Sequence, residues 1–131
     1  MKLSTRGRYA IRIMLDIGAN GKEAPVSLAA VAERQEISLK YTERIAASLV
    51  KGGLLTGVRG VQGGYRLAKP PQRCSVYEIL SCAEGELAPT ACAKERAVCA
   101  RGESCLANKV WRGLYEVTKN YLESVTLQDL F

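Results

Sequence analysis

Three cysteines, Cys92, Cys99 and Cys105, fall within fourteen residues that hold few large apolar side chains. Thiolates spaced like this on a loop can converge on one metal centre. Six residues separate the first pair and five the second. Structural zinc sites commonly use ligand pairs about two to four residues apart, so the spacing disfavours zinc. Wider gaps suit an iron–sulfur cluster, whose irons present ligand positions several ångströms apart. Gly102 and the small Ala93, Ala97 and Ala100 let the loop wrap such a group. A thiol redox switch and a loop with no centre are the other two readings of the same spacing. The chain has no histidine, so a fourth ligand must be of another type. Cys74, beside a proline hinge, and Cys82, on a helix face, read as packing thiols.

The second chemically distinctive set is basic. Residues 1–73 hold 13 Lys/Arg against 5 Asp/Glu, whereas residues 74–131 hold 6 against 8. A whole-chain net charge of +6 hides this division into a strongly cationic front and a mildly acidic back. The front is expected to meet a polyanion. No apolar run approaches the roughly 18 residues of a membrane span. The N-terminus lacks the apolar core of a signal peptide, and a cytoplasmic location without membrane association is expected. That compartment keeps thiols reduced, which sets aside a disulfide framework for the five cysteines.

Helical signals organise the front. Ser4 caps a helix to about Ala19, with Ile11, Met14, Leu15 and Gly18 on one face and Asn20-Gly21 as its stop. A short helix from Leu28 to about Arg34, the turn Gln35-Glu36-Ile37 and a helix from Ser38 to Lys51 form a helix-turn-helix. Leu28, Val31, Ala32, Ile37, Ile45 and Leu49 would be its core. Glu36 stands where glycine usually supplies a positive φ, at a cost of about 1 kcal/mol. Two strands follow, Leu54–Val58 and Tyr65–Ala68, around the tip Arg59-Gly60-Val61-Gln62-Gly63-Gly64: the shape of a wing. A nucleotide-cradling glycine loop would lead into a helix instead, so that reading is rejected.

Within this frame Ser38, Lys40, Tyr41, Glu43 and Arg44 crowd the N-terminal end of the recognition helix, which faces base edges in such domains. Lys40 and Arg44 suit phosphates or guanine, and Ser38 and Tyr41 suit phosphates. Glu43 either accepts from a cytosine amino group or is solvated beside Arg44. Lys2, Arg6, Arg8 and Arg12 would lie along the backbone of the duplex. In the wing, Arg59 suits a narrow minor groove, while Gly60, Gln62, Gly63 and Gly64 allow close backbone approach.

Pro70-Pro71-Gln72 is the one clear boundary. Beyond it, Ser75 caps a helix to about Ala83, the cysteine loop follows, and a last helix runs from about Ser104 to Ser124. Val110, Leu114, Val117, Tyr121 and Val125, widened by Trp111 and Leu122, give that helix an apolar stripe suited to a two-fold partner. The expected architecture is mainly α. Residues 1–73 form a winged helix-turn-helix DNA-binding region with a two-stranded wing, and residues 74–131 a cluster loop with a long dimerisation helix.

Several stretches resemble the IscR-type iron–sulfur transcriptional regulators. Lys2-Leu3-Ser4-Thr5-Arg6-Gly7-Arg8-Tyr9-Ala10 is similar to their opening, Glu33-Arg34-Gln35-Glu36-Ile37-Ser38 to their helix-turn-helix, and Val58-Arg59-Gly60-Val61-Gln62-Gly63-Gly64-Tyr65 to their wing. The three cysteines and Trp111 extend the likeness over essentially the whole chain. The resemblance implies a homodimer on a double-stranded DNA operator, with one cluster per subunit, 2Fe–2S rather than 4Fe–4S, and control of cluster-assembly genes. It also implies that Arg59 enters the minor groove, that Ser38, Glu43 and Arg44 read bases, and that Glu43 gates the operator class. Three departures stand out: Asn108 in place of the histidine ligand, Arg8 where some relatives offer an acid from the partner subunit, and a first cysteine gap one residue longer. The fourth ligand stays open among Asn108, Glu95, Glu103 and a carboxylate of the partner subunit. A cluster-free regulator sensing thiols or a small ligand is the alternative. A basic electron carrier fits the front half poorly, and no constellation supports an enzyme.

Overall fold

The computed structural model describes residues 2–94, 99–101 and 104–131. The sequence readings of Glu95, Ala97, Gly102 and Glu103 lie outside the described residues. Helix α1, Thr5–Asn20, starts where Ser4 Oγ accepts from the backbone N–H groups of Arg6 (3.1 Å) and Gly7 (3.4 Å). Its deepest residues are Ala10, Ile13, Met14 and Ile17. Of the expected stripe, Met14 and Gly18 are buried, while Ile11 and Leu15 are only half-buried. The difference has a packing cause. α1 is enclosed by α2, α3, α4 and β2, so it buries more than one face and a single stripe underdescribes it.

Helix α2, Leu28–Gln35, is capped by Ser27, and α3, Leu39–Lys51, by Ser38, whose Oγ accepts from Tyr41 N–H at 3.2 Å. Between them Glu36 adopts φ 55° and ψ 43°. The left-handed turn expected there is therefore kept by a non-glycine residue, and it lets Ile37 drop into the core. Leu28, Val31, Ala32, Ile37, Ile45 and Leu49 are all buried as expected. Asp16 of α1 is buried too, and Arg34 and Gln35 of α2 both donate to its carboxylate.

Strands β1, Leu55–Val58, and β2, Gly64–Leu67, pair antiparallel with Leu55 opposite Leu67 and Val58 opposite Gly64. Val26 and Tyr65 exchange backbone hydrogen bonds of 3.0 and 2.8 Å, fastening the wing to the segment ahead of α2. A Cβ at Gly64 would lie 2.5 Å from the Val26 carbonyl, so this close approach requires glycine.

After the Pro70-Pro71 hinge, Ser75 and Glu78 cap α4, Val76–Glu84, reciprocally: Glu78 N–H donates to Ser75 Oγ and Ser75 N–H to the Glu78 carboxylate. The hinge does not interrupt packing. Cys74, Ile79, Ala83 and Leu127 join the same core as Ile13, Ile45 and Leu55. Helix α5, Asn108–Ser124, begins later than Ser104, and Ala107 offers it no side-chain cap. A second, smaller cluster unites Val76, Leu80 and Leu87 with Leu122 and Val125. The α5 stripe thus divides, since Val110, Val117 and Tyr121 remain exposed.

Candidate nucleic-acid interface and cysteine loop

The caps and core contacts of α3 fix which of its faces is free. Thr42, Ile45, Ala46 and Leu49 point inward, leaving Lys40, Glu43 and Arg44 exposed on its first two turns. Glu43 and Arg44 form no ion pair, as expected of neighbours one residue apart. Ser38 spends its hydroxyl oxygen on the α3 cap. Tyr41 is half-buried and meets Tyr9 of α1 edge-on, with ring centroids 5.9 Å apart. Its phenol ring therefore also holds the recognition helix against α1.

Lys2 and Arg6 are exposed at the start of the chain. Arg6 and Arg44 line one cleft of about 530 Å³ with Ser4, Tyr41, Ser48 and Glu84. Arg8 lies 3.3 Å from Thr5 Oγ1. Arg12 is exposed on α1: its Nε donates to Gln35 Oε1 at 3.1 Å, a second guanidinium nitrogen donates to the Gln35 carbonyl, and the group lies over Tyr9. It ties α1 to the end of α2.

At the wing, Arg59, Gly60 and Gln62 are exposed and Val61 projects fully into solvent. Gly60 takes φ 112° and its carbonyl accepts from Gly63 N–H at 3.0 Å. A Cβ at Gly63 would meet the Val58 carbonyl at 2.1 Å. The wing glycines thus have a folding reason of their own. Val61, passed over in sequence, is the tip residue; its signal was an apolar side chain among turn residues.

All five cysteines are free thiols. Burial pushes the Cys74 thiol up to about 11, with Lys69 opposing the rise and Glu78 adding to it. Cys82 is shifted upward for the same first reason. Neither is a poised nucleophile, in keeping with packing roles. Cys92 sits in a short 3-10 turn, Ala91–Ala93, half-buried, with its sulfur 3.3 Å from Thr90 Oγ1. Cys99 is exposed. Cys105 is half-buried just ahead of α5, and its carbonyl accepts from Asn108 N–H at 3.1 Å.

The start of the loop is pinned between helices. Lys94 pairs with Glu86, and that hydrogen bond is the first cause holding the Glu86 carboxyl below its ordinary range. Tyr115 of α5 donates to Glu86 at 3.4 Å and lies 3.4 Å from the hydroxyl of Tyr77 on α4. The Tyr77 hydrogen bond, then burial, shift Tyr115 upward.

Among the described residues, no three His, Cys, Asp or Glu side chains are gathered into a metal-ready group. The donor chemistry nonetheless fits a soft centre with one harder ligand. Three free thiols share the loop, and Asn108 Oδ1 is buried without a hydrogen-bond partner at the loop's far end. An unpaired buried acceptor costs roughly 1–3 kcal/mol, so an unmet partner is the natural account of it.

A helix-turn-helix, a two-stranded wing and a cationic exposed α3 define a winged-helix DNA-binding transcription regulator, not an enzyme. The chain belongs to the Rrf2 family, described as iron-dependent transcriptional regulators, whose profile matches residues 3–131. It is 39% identical to the HTH-type transcriptional regulator IscR of Klebsiella pneumoniae over 130 residues, covering 99% of this chain and 79% of that protein. Its fold is similar to that of CymR, the global cysteine regulator of B. subtilis, with a TM-score of 0.83 and 31% identity over 99% of this chain and 95% of that one. IscR of T. potens aligns with a TM-score of 0.79 and 35% identity, covering 99% and 85%. No described helix is long and apolar enough to cross a membrane.

Proposed function

We propose that the chain is a cytoplasmic, homodimeric regulator that reports iron–sulfur supply or oxidative stress through a cluster held by Cys92, Cys99 and Cys105. The observation that carries this reading is the concentration of three free thiols in the one loop joining α4 to α5, ending at the orphaned Asn108 oxygen. The iron-dependent family description and the IscR relatives support it. A 2Fe–2S cluster is the proposed group. When bound it would supply a reversible, oxidant-sensitive link between the three thiolates.

Lys40 and Arg44, with Lys2 and Arg6, would neutralise phosphates, and Ser38, Tyr41, Glu43 and Arg44 would address the major groove. Arg59 would reach the adjacent minor groove while Gly60, Gln62, Gly63 and Gly64 bring the wing backbone close. Exposed Val110, Trp111, Leu114, Val117 and Tyr121 on α5 supply a self-complementary face for the dimer, and two recognition helices then fit successive major grooves of a pseudo-palindrome. The proposed targets are cluster-assembly genes.

The likeness to CymR and the ungathered thiols favour one second reading, a cluster-free regulator of the same fold that senses thiols or a small ligand. Anaerobic purification separates the two. The first reading expects coloured protein with iron and acid-labile sulfide, and duplex preferences selected from a random library that change when the cluster is removed. Colourless protein lacking both elements would favour the second.

A further inference from the structure

We infer that Glu84 is the positioning residue through which the cysteine loop sets the DNA-binding head; this rests on the function proposed above. Glu84 is the last residue of α4. Its Oε1 accepts three hydrogen bonds from the start of the chain: Ser4 N–H at 2.8 Å, Ser4 Oγ at 2.7 Å and Gly7 N–H at 3.1 Å. The contact closes about 80 residues of sequence separation onto the first turn of α1, where unpaired backbone donors and the helix dipole favour a carboxylate.

Gly7 is shaped for this contact. A Cβ there would lie 2.2 Å from Glu84 Oε1. Glycine inside a helix otherwise costs about 1 kcal/mol relative to alanine. The stabilised contact offers a reason for that weak choice.

Both ends of the clamp lead somewhere. On one side, Gly85 follows at φ 84° and ψ −131°, a backbone state essentially reserved for glycine, and opens the segment that carries Glu86 and Cys92. A change in the loop's path therefore turns about Gly85, directly beside the carboxylate. On the other side, Glu84 lines the cleft shared by Arg6, Tyr41 and Arg44, and α1 carries Tyr9 onto Tyr41 of the recognition helix. The route from loop to α3 thus runs through Glu84, Ser4 and Gly7, then Tyr9 and Tyr41. Hydrogen bonds join Glu84 to Ser4 and Gly7, the backbone of α1 carries Gly7 to Tyr9, and a ring contact joins Tyr9 to Tyr41.

The test compares wild type with Glu84→Ala, Glu84→Gln and Gly7→Ala, each reconstituted anaerobically with iron and sulfide and each as apo-protein. Gly7→Ala breaks the contact from the other side while improving helix propensity, so loss of folding does not mimic the result. Two quantities are read: hydrogen exchange at the amide of Gly7, and affinity for a duplex selected by the wild type. In the wild type, Gly7 protection changes with cluster loading, and the two states differ in affinity by roughly fivefold or more. Glu84→Ala and Gly7→Ala lose protection of the position-7 amide in both states and bring the affinity ratio near one. Glu84→Gln, which keeps an acceptor oxygen, recovers part of the ratio. A ratio preserved in both disrupting variants overturns the inference alone, as does wild-type Gly7 protection indifferent to loading. A wild type that takes up no iron removes the function proposed above and this inference with it.

Discussion

The carboxylate of Asp16 and the guanidinium of Arg34 close the gap between α1 and α2 at 2.6 Å, with a second contact of 3.0 Å from Arg34 Nε. Burial works against ionisation of Asp16. Hydrogen bonds from Arg34 and Gln35, the Arg34 charge and Asn20 together outweigh it, and the carboxyl is held below its ordinary value of 3.8. A depressed carboxyl stabilises the fold fully above that value and progressively less as pH falls through the folded-state value. Asp16→Asn should therefore cost about 2 kcal/mol near neutrality, less than a fully buried pair because Arg34 is 42% exposed. Urea unfolding at a series of pH values checks this: the two stability curves should converge as pH drops below 3.8. Curves that stay parallel would contradict the assignment.

At the helix-turn-helix corner, Glu36→Gly should stabilise the chain by about 1 kcal/mol, because glycine relieves the left-handed backbone at that position. The midpoint of chemical unfolding is the readout. A lowered midpoint would mean that the Glu36 side chain contributes something the backbone argument leaves out.

For the proposed interface, Lys40→Ala and Arg6→Ala should each lower the slope of log affinity against log salt by about 0.9 if each neutralises one phosphate. Titrations of a selected duplex from low to moderate salt give the slope directly. An unchanged slope for Arg6→Ala would take that arginine off the backbone.

Asn108→His should lengthen cluster lifetime in air, since imidazole is a better ligand than a neutral amide oxygen for such iron. Decay of the visible absorption measures it. An unaltered lifetime would place the fourth ligand elsewhere.

Val117 is 70% exposed in the middle of the α5 stripe. Val117→Glu should convert a dimer to monomers by setting two like charges against each other across the proposed two-fold axis. Light scattering after size exclusion reads the mass, and a dimer that persists would move the interface off this face.

Local chemistry was legible and long-range packing was not. The helices expected to start at Ser4, Leu28, Ser38 and Ser75 each begin within a residue of those positions, because a serine cap is a contact between neighbours. Glu36 showed its strained turn for the same reason. The inward faces of α1 and α5 were harder to place: burial of Ile13 and the split between Leu122 and Val117 depend on which elements pack around each helix. Glu84 and Asp16 were missed because their partners are distant in sequence. The faint signals were a glycine inside a helix's first turn and a lone acid on a helix whose other charged residues are arginines. The cysteine set was visible at once, since thiol spacing is itself the signal, whereas the unpaired oxygen of Asn108 shows only in the folded chain.

The core that runs unbroken past the Pro70-Pro71 hinge has a thermodynamic consequence. Cys74, Ile79, Ala83 and Leu127 lie beyond the hinge yet complete the interior of the winged-helix side. The segments before and after the hinge must then melt together, in one cooperative transition. Whatever free energy a ligand adds at the loop by favouring the folded chain is shared with the recognition helix by mass action alone. Occupancy would therefore govern how long an intact reader survives as well as which sequence it prefers, and the lifetime of the protein itself becomes a second output of the sensor.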